Sequence, residues 1–437
     1  MGYYFCKNCL NQDNTENNNE EVTNKKNNLP VLSIERKVDF EKKDEVQQNE
    51  LIENNENLEQ ISIIKKNKNI EKEENIEKKE QKSEIEKNKI SESKELRKLE
   101  NENQLKNNEF YQINQLYGFI NNGNNCYLNS SLQLLTRIKE LRENILNFKL
   151  EKICIDTITK GKICIEFQNI IQNIINGKKN LDPKKLKKVM GEIDERYKDN
   201  NQEDANEFIS NFLDGLLDEI GDKNNLPEPL NIKNESDRAA YNKFYKRFYK
   251  IKGNSFLLDL FYSIIKTQKV CQSCGKVNSI KFNAYNIIEL PIKCLAKRGN
   301  DIKFEDIIDN YLKKNENING ECKFCGRNNI YEKINIYSLP KYIILYFGRT
   351  IDNYYIDNQI IYPSKYPFES FINNDTDFNL ECVIEHSGGA HYGHYTSLCP
   401  IDSINRWYKF SDTSFDENLS GYHGSNAIIL LYKKKTN

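Results

Sequence analysis

Cysteine, histidine and acidic side chains are spaced along this chain in a way that could support thiol chemistry, and Cys126 is the first of them. It stands in Gly118-Phe-Ile-Asn-Asn-Gly-Asn-Asn-Cys-Tyr-Leu-Asn-Ser-Ser-Leu-Gln-Leu-Leu135, where glycine and asparagine give way to an apolar periodicity of Tyr127, Leu128, Leu132 and Leu135. The pattern predicts a loop that delivers the cysteine onto the first turn of a helix. Unpaired amides and the helix dipole stabilise a thiolate there and lower its pKa, which suits a nucleophile working near neutral pH. A cysteine opening a helix is more often a small buried hydrophobe, so the rest of the chain must supply the partners that a nucleophile needs.

All four histidines lie late in the chain, and three fall in Val383-Ile-Glu-His386-Ser-Gly-Gly-Ala-His391-Tyr-Gly-His394-Tyr-Thr-Ser-Leu398. A strand from Phe378 is expected to lead in and a second strand to lead out, fixing His394 at the edge of a glycine-rich loop, where a general base is well placed. A metal site of His386, His391 and His394 is the competing reading, but no acidic ligand follows at useful spacing. Further on, Arg406-Trp407-Tyr-Lys-Phe-Ser411-Asp412 reads as a strand ending in a hydroxyl and a carboxylate, either of which could orient an imidazole. Asp412 is the favoured partner because a carboxylate stabilises an imidazolium better than a neutral hydroxyl; Ser411 is the alternative, and Ser-Asp at a strand end is otherwise an ordinary turn. Cysteine, histidine and acid in that chain order are what a papain-type thiol hydrolase requires.

Two further groups carry chemistry. Cys271-Gln-Ser-Cys274-Gly and Cys322-Lys-Phe-Cys325-Gly are paired Cys-x-x-Cys-Gly knuckles, whose four thiolates would close a tetrahedral structural zinc site. Their wide separation predicts hairpin tips that meet in space; redox-active pairs are the alternative. Gln202-Glu-Asp204-Ala-Asn-Glu207-Phe208 opens an amphipathic helix with Phe208, Ile209, Phe212, Leu213, Leu216, Leu217 and Ile220 on one stripe. Asp204 and Glu207 at its start either complement the dipole or form an acidic patch for an arginine-bearing peptide.

The elements that must hold these groups occupy only part of the 437 residues. Of 25 Tyr, 21 Phe and one Trp, only Tyr3, Tyr4, Phe5 and Phe40 precede residue 110. Residues 10–109 are rich in Asn, Glu, Lys and Gln and are expected to be disordered, with a charged helix over 60–100 as the competing reading. Net charge is −1, which gives no general pull toward nucleic acid or an anionic membrane. The apolar runs Tyr342–Phe347 and Ala427–Tyr432 are too short to span a bilayer and read as buried strands. No secretory signal is visible, so the 12 cysteines are expected to be mostly thiols or metal ligands in a soluble intracellular protein, cytoplasmic or nuclear. Gly2 with Cys6 and Cys9 fits N-terminal acylation as well as half a metal site or a plain disordered end, and is left unassigned.

Taken together, the cysteine box at Cys126, the acidic helix at Gln202–Phe208, the paired knuckles, the Leu339-Pro340 strand entry, the histidine box and the Trp407–Asp412 strand resemble the ubiquitin-specific protease family of deubiquitinating enzymes, over about residues 113–435. The resemblance implies an α+β, papain-like fold of thumb, palm and zinc-tipped fingers, with a disordered leader over 1–110, a catalytic domain over 111–435 and fingers at about 255–345. It implies a thiol-dependent hydrolase that acts after the C-terminal glycine of ubiquitin, with Cys126 as nucleophile, His394 as base, Asp412 or Ser411 as third member and Asn121 steadying the oxyanion. It also implies that Asp204 and Glu207 meet arginines of the ubiquitin tail and that Tyr395 lines its passage. Ubiquitin and ubiquitinated proteins are the implied partners, structural zinc the implied cofactor, and a monomer the expected state. Three positions depart from the family pattern: Asn125 where threonine is usual, Ser411 where Asn or Asp is usual, and Gly348-Arg349 where a longer basic and aromatic segment is common. Rival readings are a protease for another ubiquitin-like modifier, a catalytically dead ubiquitin-binding scaffold, and a zinc-ribbon nucleic-acid binder, the last leaving Cys126 and the histidine box unexplained.

Overall fold

The computed structural model describes residues 116–435, apart from 298, 314–316, 319, 352, 369–376, 391, 402–405 and 424–425. The expectations for the leader, for acylation at Gly2, Cys6 and Cys9, and for His391 as a ligand lie outside the described residues.

Eight α-helices are formed among the described residues: α1 (Cys126–Arg137), α2 (Lys139–Asn147), α3 (Lys162–Ile175), α4 (Lys184–Ile193), α5 (Ala205–Ile220), α6 (Glu235–Lys252), α7 (Phe256–Phe261) and α8 (Phe304–Leu312). The principal strands are β1 (Ser263–Cys271), β2 (Val277–Tyr285), β3 (Ile288–Pro291), β4 (Ile330–Ser338), β5 (Tyr342–Gly348), β6 (Phe378–Gly388), β7 (Gly393–Ile401), β8 (Arg406–Ser411), β9 (Ser414–Glu417) and β10 (Ala427–Lys434). The class is α+β, as expected.

One large sheet carries the histidine. Its strands run in the order β9-β8-β7-β6-β10-β5-β3, antiparallel throughout except for β3 beside β5. The continuous apolar runs of β5 and β10 are interior strands of this sheet, where both faces are covered and period-two polarity is lost. Alternate residues still go to opposite sides. Ile344 and Tyr346 join Cys382, Ile384, Cys399, Ile429 and Leu431 in the core shared with α1, α3 and α5, while Ile343, Leu345 and Phe347 pack with Leu430, Tyr432 and α8 on the other face. Helix α1 is the pivot of the first core. Every residue from Cys126 to Thr136 is buried, and the helix packs against α5 and β7.

A second sheet pairs β2, β1, β4 and the short strand Asn317–Ile318 in that order and is antiparallel throughout. It is tied to α6 through Tyr241, Phe244, Ile264 and Phe282 and through the nearly buried ion pair Lys266–Asp237 at 2.8 Å. The span 255–345, expected to be fingers throughout, is therefore divided. Ile288–Pro291 pairs in parallel with β5 and belongs to the large sheet, and α8 packs its apolar face on that sheet's second core. The physical reason is that Ile288, Leu290, Phe304, Ile307 and Ile308 need a buried face that a thin ribbon does not offer.

Candidate active site and metal centre

Cys126 is the first residue of α1, as its surroundings in the sequence imply. The turn before it is held by Asn121, whose side-chain oxygen accepts the backbone N–H of Gly123 at 3.1 Å and of Asn125 at 2.9 Å. Gly123 (φ 124°) and Asn124 (φ 49°) supply the backbone that such a turn needs. Asn125 is buried beside the nucleophile, its side-chain oxygen accepting from Lys187 Nζ at 2.8 Å. That hydrogen bond is a use for asparagine at a position where the family usually has threonine.

The expected low thiol pKa is not what this environment produces. Burial pushes the Cys126 thiol above its ordinary value, the Asp412 carboxylate pushes the same way, and the N–H groups of Tyr395, Tyr127 and Cys126 itself offset them only in part. Cys126 is 3% exposed, so loss of solvent outweighs the helix terminus. The resting group is a thiol that needs a base.

Strand β7 carries the candidate base. His394 is its second residue, and the next residue, Tyr395, supplies the N–H that reaches Cys126. His394 Nε2 lies 2.8 Å from Ser411 Oγ, the last residue of β8. Asp412, the favoured partner, is not the residue that meets the imidazole. It sits in the tight turn from β8 to β9 with φ 53°, and its carboxylate takes hydrogen bonds from Asn121 Nδ2 at 3.0 Å and Asn129 Nδ2 at 2.7 Å. Successive residues of a strand face opposite ways, and the left-handed turn points the carboxylate at the start of α1. The carboxylate thus braces the nucleophile's loop and helix, and the serine meets the histidine.

Asn129, which the sequence pattern did not single out, joins this array through Asp412. It lies one helical turn after Cys126, is 2% exposed, and also donates to the Phe119 carbonyl at 3.3 Å. The available signal was an asparagine within the apolar start of a helix, a poor helix former placed where it would be buried. His386, a candidate metal ligand, packs instead on Tyr395 with ring centroids 4.5 Å apart and lies 3.4 Å from Tyr355 Oη through Nδ1. Burial, then Arg349 and His394, push its pKa down, so it stays neutral. A Cβ at Gly393 would come within 2.3 Å of His386 Nε2, which is why glycine precedes His394.

Asp204 and Glu207 do not form an open pair. Asp204 caps α5, accepting the Asn206 N–H at 2.7 Å, and accepts from Tyr346 Oη at 3.1 Å. Partly exposed in area yet closely surrounded by protein, it is pushed up to about 6, first by burial and then by Glu207. Glu207 is exposed and ion-paired with Arg196, which also meets Asp194 at 2.6 Å. Tyr395 is 8% exposed, its N–H reaching Cys126 and its ring packed on His386.

The four knuckle cysteines converge as expected. The turn after β1 and the turn before β4 are near copies: the N–H of Gly275 bonds the Cys271 carbonyl at 2.8 Å and the N–H of Gly326 bonds that of Cys322 at 2.9 Å. Both glycines are left-handed, at φ 68° and 70°. Cys271 and Cys325 sulfurs are 3.6 Å apart, as are those of Cys274 and Cys322, and all four lie within 4.8 Å of one another. Thiolates about 2.3 Å from a tetrahedral zinc ion stand roughly 3.8 Å apart, so the donor set and its spacing fit that metal. No other group of three or more such side chains gathers among the described residues.

Comparison with known proteins agrees with this geometry. The family model described as ubiquitin carboxyl-terminal hydrolase matches residues 117–432. Similar curated proteins include ubiquitin carboxyl-terminal hydrolase 2 of Homo sapiens, 27% identical over 342 residues that cover 73% of this chain and 55% of that protein. Ubiquitin carboxyl-terminal hydrolase 4 of Saccharomyces cerevisiae is 24% identical over 371 residues, 74% of this chain and 40% of that protein. The chain thus spans about half the length, or less, of the curated relatives it matches. Among solved structures, the SAGA DUB module bound to monoubiquitin shares the fold with a TM-score of 0.56 at 17% identity, covering 75% of this chain and 70% of that one. No helix among the described residues is long and apolar enough to cross a membrane. The match to the family model over most of the chain establishes that this protein belongs to the ubiquitin carboxyl-terminal hydrolase family, as a ubiquitin-specific protease.

Proposed function

We propose that this chain is an active deubiquitinase, which hydrolyses isopeptide or peptide bonds after the C-terminal glycine of ubiquitin in a catalytic domain over 111–435. The observation that carries the reading is the Cys126–His394–Ser411 array, with the thiol buried under the Tyr395 N–H and the imidazole held through Nε2. With Nε2–H donating to Ser411, Nδ1 keeps its lone pair and is the atom that takes the Cys126 proton. The thiolate then attacks the glycine carbonyl. Asn121 spends one amide hydrogen on Asp412 and has a second for the oxyanion, together with the Cys126 N–H at the helix terminus. His394 returns the proton to the leaving amine, and water hydrolyses the thioester.

Asp204 and Glu207 receive basic residues of the substrate tail, Arg196 yielding its place on Glu207, and Tyr395 lines the passage that only glycine fits. Zinc held by Cys271, Cys274, Cys322 and Cys325 fixes the tip of the second sheet and leaves no open coordination position for catalysis. The protein acts as a monomer in the cytoplasm or nucleus. A ubiquitin probe with a C-terminal electrophile tests the reading: a covalent adduct with the wild type and none with Cys126→Ala is expected. Absence of an adduct with ubiquitin, but formation of one with a probe built on another ubiquitin-like modifier, would replace it.

A further inference from the structure

Cys382 and Cys399 lie in the core beneath the large sheet and belong neither to the Cys126 array nor to the knuckles. They occupy β6 and β7, one step beyond the ladder pair Val383–Leu398, and so stand directly opposite each other. Their sulfurs are 3.1 Å apart, with Cys382 1% and Cys399 0% exposed. That is closer than the two pairs at the metal centre, although no metal geometry draws these two together. Directly opposed residues on antiparallel strands have Cα atoms about 4.5 or 5.5 Å apart, and a disulfide accepts about 4.4–6.8 Å, so a bond can close without moving either strand.

We propose that Cys382 and Cys399 are an oxidisable dithiol that forms a cross-strand disulfide on exposure to hydrogen peroxide. In the first step a thiolate sulfur attacks peroxide, forming an S–O bond, breaking the O–O bond and releasing hydroxide, which takes a proton to become water. The second thiol then displaces that oxygen, forming the S–S bond as the S–O bond breaks and a second water leaves. Peroxide is reduced by two electrons, and the two thiols together supply them and two protons.

Either sulfur can attack. Burial opposes ionisation of both thiols, and the Arg137 guanidinium at the far end of α1 favours it in each. Access comes from the Cys382 side. The pairing of β6 with β10 is irregular between Leu380 and Cys382, and local opening of the ladder there admits a molecule hardly larger than water. The bond straps β6 to β7 behind the hairpin that carries His394. Six ladder pairs from Val383–Leu398 to Gly388–Gly393 already set the register of that hairpin, so the strap adds stability and leaves the catalytic geometry unchanged.

The test uses the full-length, zinc-loaded protein titrated with hydrogen peroxide, followed by alkylation in denaturant and peptide mapping without reductant. A cross-linked peptide pair containing Cys382 and Cys399, reversed by dithiothreitol, is expected. It should be accompanied by a rise in Tm of about 5 °C, absent from Cys382→Val/Cys399→Val. Recovery of both residues as alkylated thiols at peroxide levels that fully oxidise Cys126 would overturn the proposal, as would sulfinic acids at either position without a cross-link. A cross-link with no change in Tm would overturn the strap.

Discussion

At the scale of single residues, the site differs from the expectation that a carboxylate would hold the histidine. Ser411 offers a neutral oxygen, which fixes the ring's tautomer but stabilises an imidazolium less than an anion would. Ser411→Ala is therefore expected to lower kcat by about tenfold or more at constant fold, measured on a fluorogenic ubiquitin substrate, and Ser411→Asp to retain activity. Asp412 acts on the other partner. Its charge opposes the Cys126 thiolate, so Asp412→Asn should move the midpoint of Cys126 alkylation to lower pH, as read from iodoacetamide rates across a pH series. A midpoint that rises or stays fixed would show that the braces to Asn121 and Asn129 matter more than the charge. Cys126→Ala should abolish turnover while ubiquitin still binds, since the grip lies elsewhere.

At the scale of elements, the start of α5 combines a structural role with the proposed binding role in one carboxylate. The folded pKa of Asp204, about 6, lies above its ordinary 3.8. Protonation therefore favours the fold. That contribution is fully present below about pH 3.8 and is lost as pH rises through 6, so at neutral pH the ionised carboxylate costs at most about 3 kcal/mol. An asparagine side chain at the same position would keep the cap without the charge. Asp204→Asn should thus raise Tm at pH 8 and change it little at pH 4, while raising KM for ubiquitin substrates; wild-type KM should rise as pH falls through 6. The second sheet is the other element with a single point of failure. Cys274→Ser, or removal of zinc by a chelator, should lower metal content from one ion per chain and unfasten the two knuckle turns, seen as faster hydrogen exchange in β1 and β4.

At the scale of the whole molecule, residues 1–109 carry only four aromatic side chains, too few for a core, and removing them should leave folding and turnover of a small ubiquitin substrate within about twofold; an insoluble or inactive product would show that the leader docks on the catalytic domain. Much of the rest was legible in the chain. Cys126 at the head of α1, the strands flanking His394, the two-sided burial of β5 and β10 and the converging knuckles all follow from local pattern, because a helix start, a buried strand and a glycine-backed turn are each specified by a few consecutive residues. What only the tertiary structure decided are the quantities set by groups distant in sequence. Cys126 is driven upward by enclosure among α1, α5 and β7; Asp412 faces Asn121 and Asn129, close to 290 positions away; and Glu207 is already claimed by Arg196. The division of 255–345 between two sheets was likewise hidden, since pairing partners and solvent exclusion depend on the packed whole and leave no trace in the run of residues that receives them.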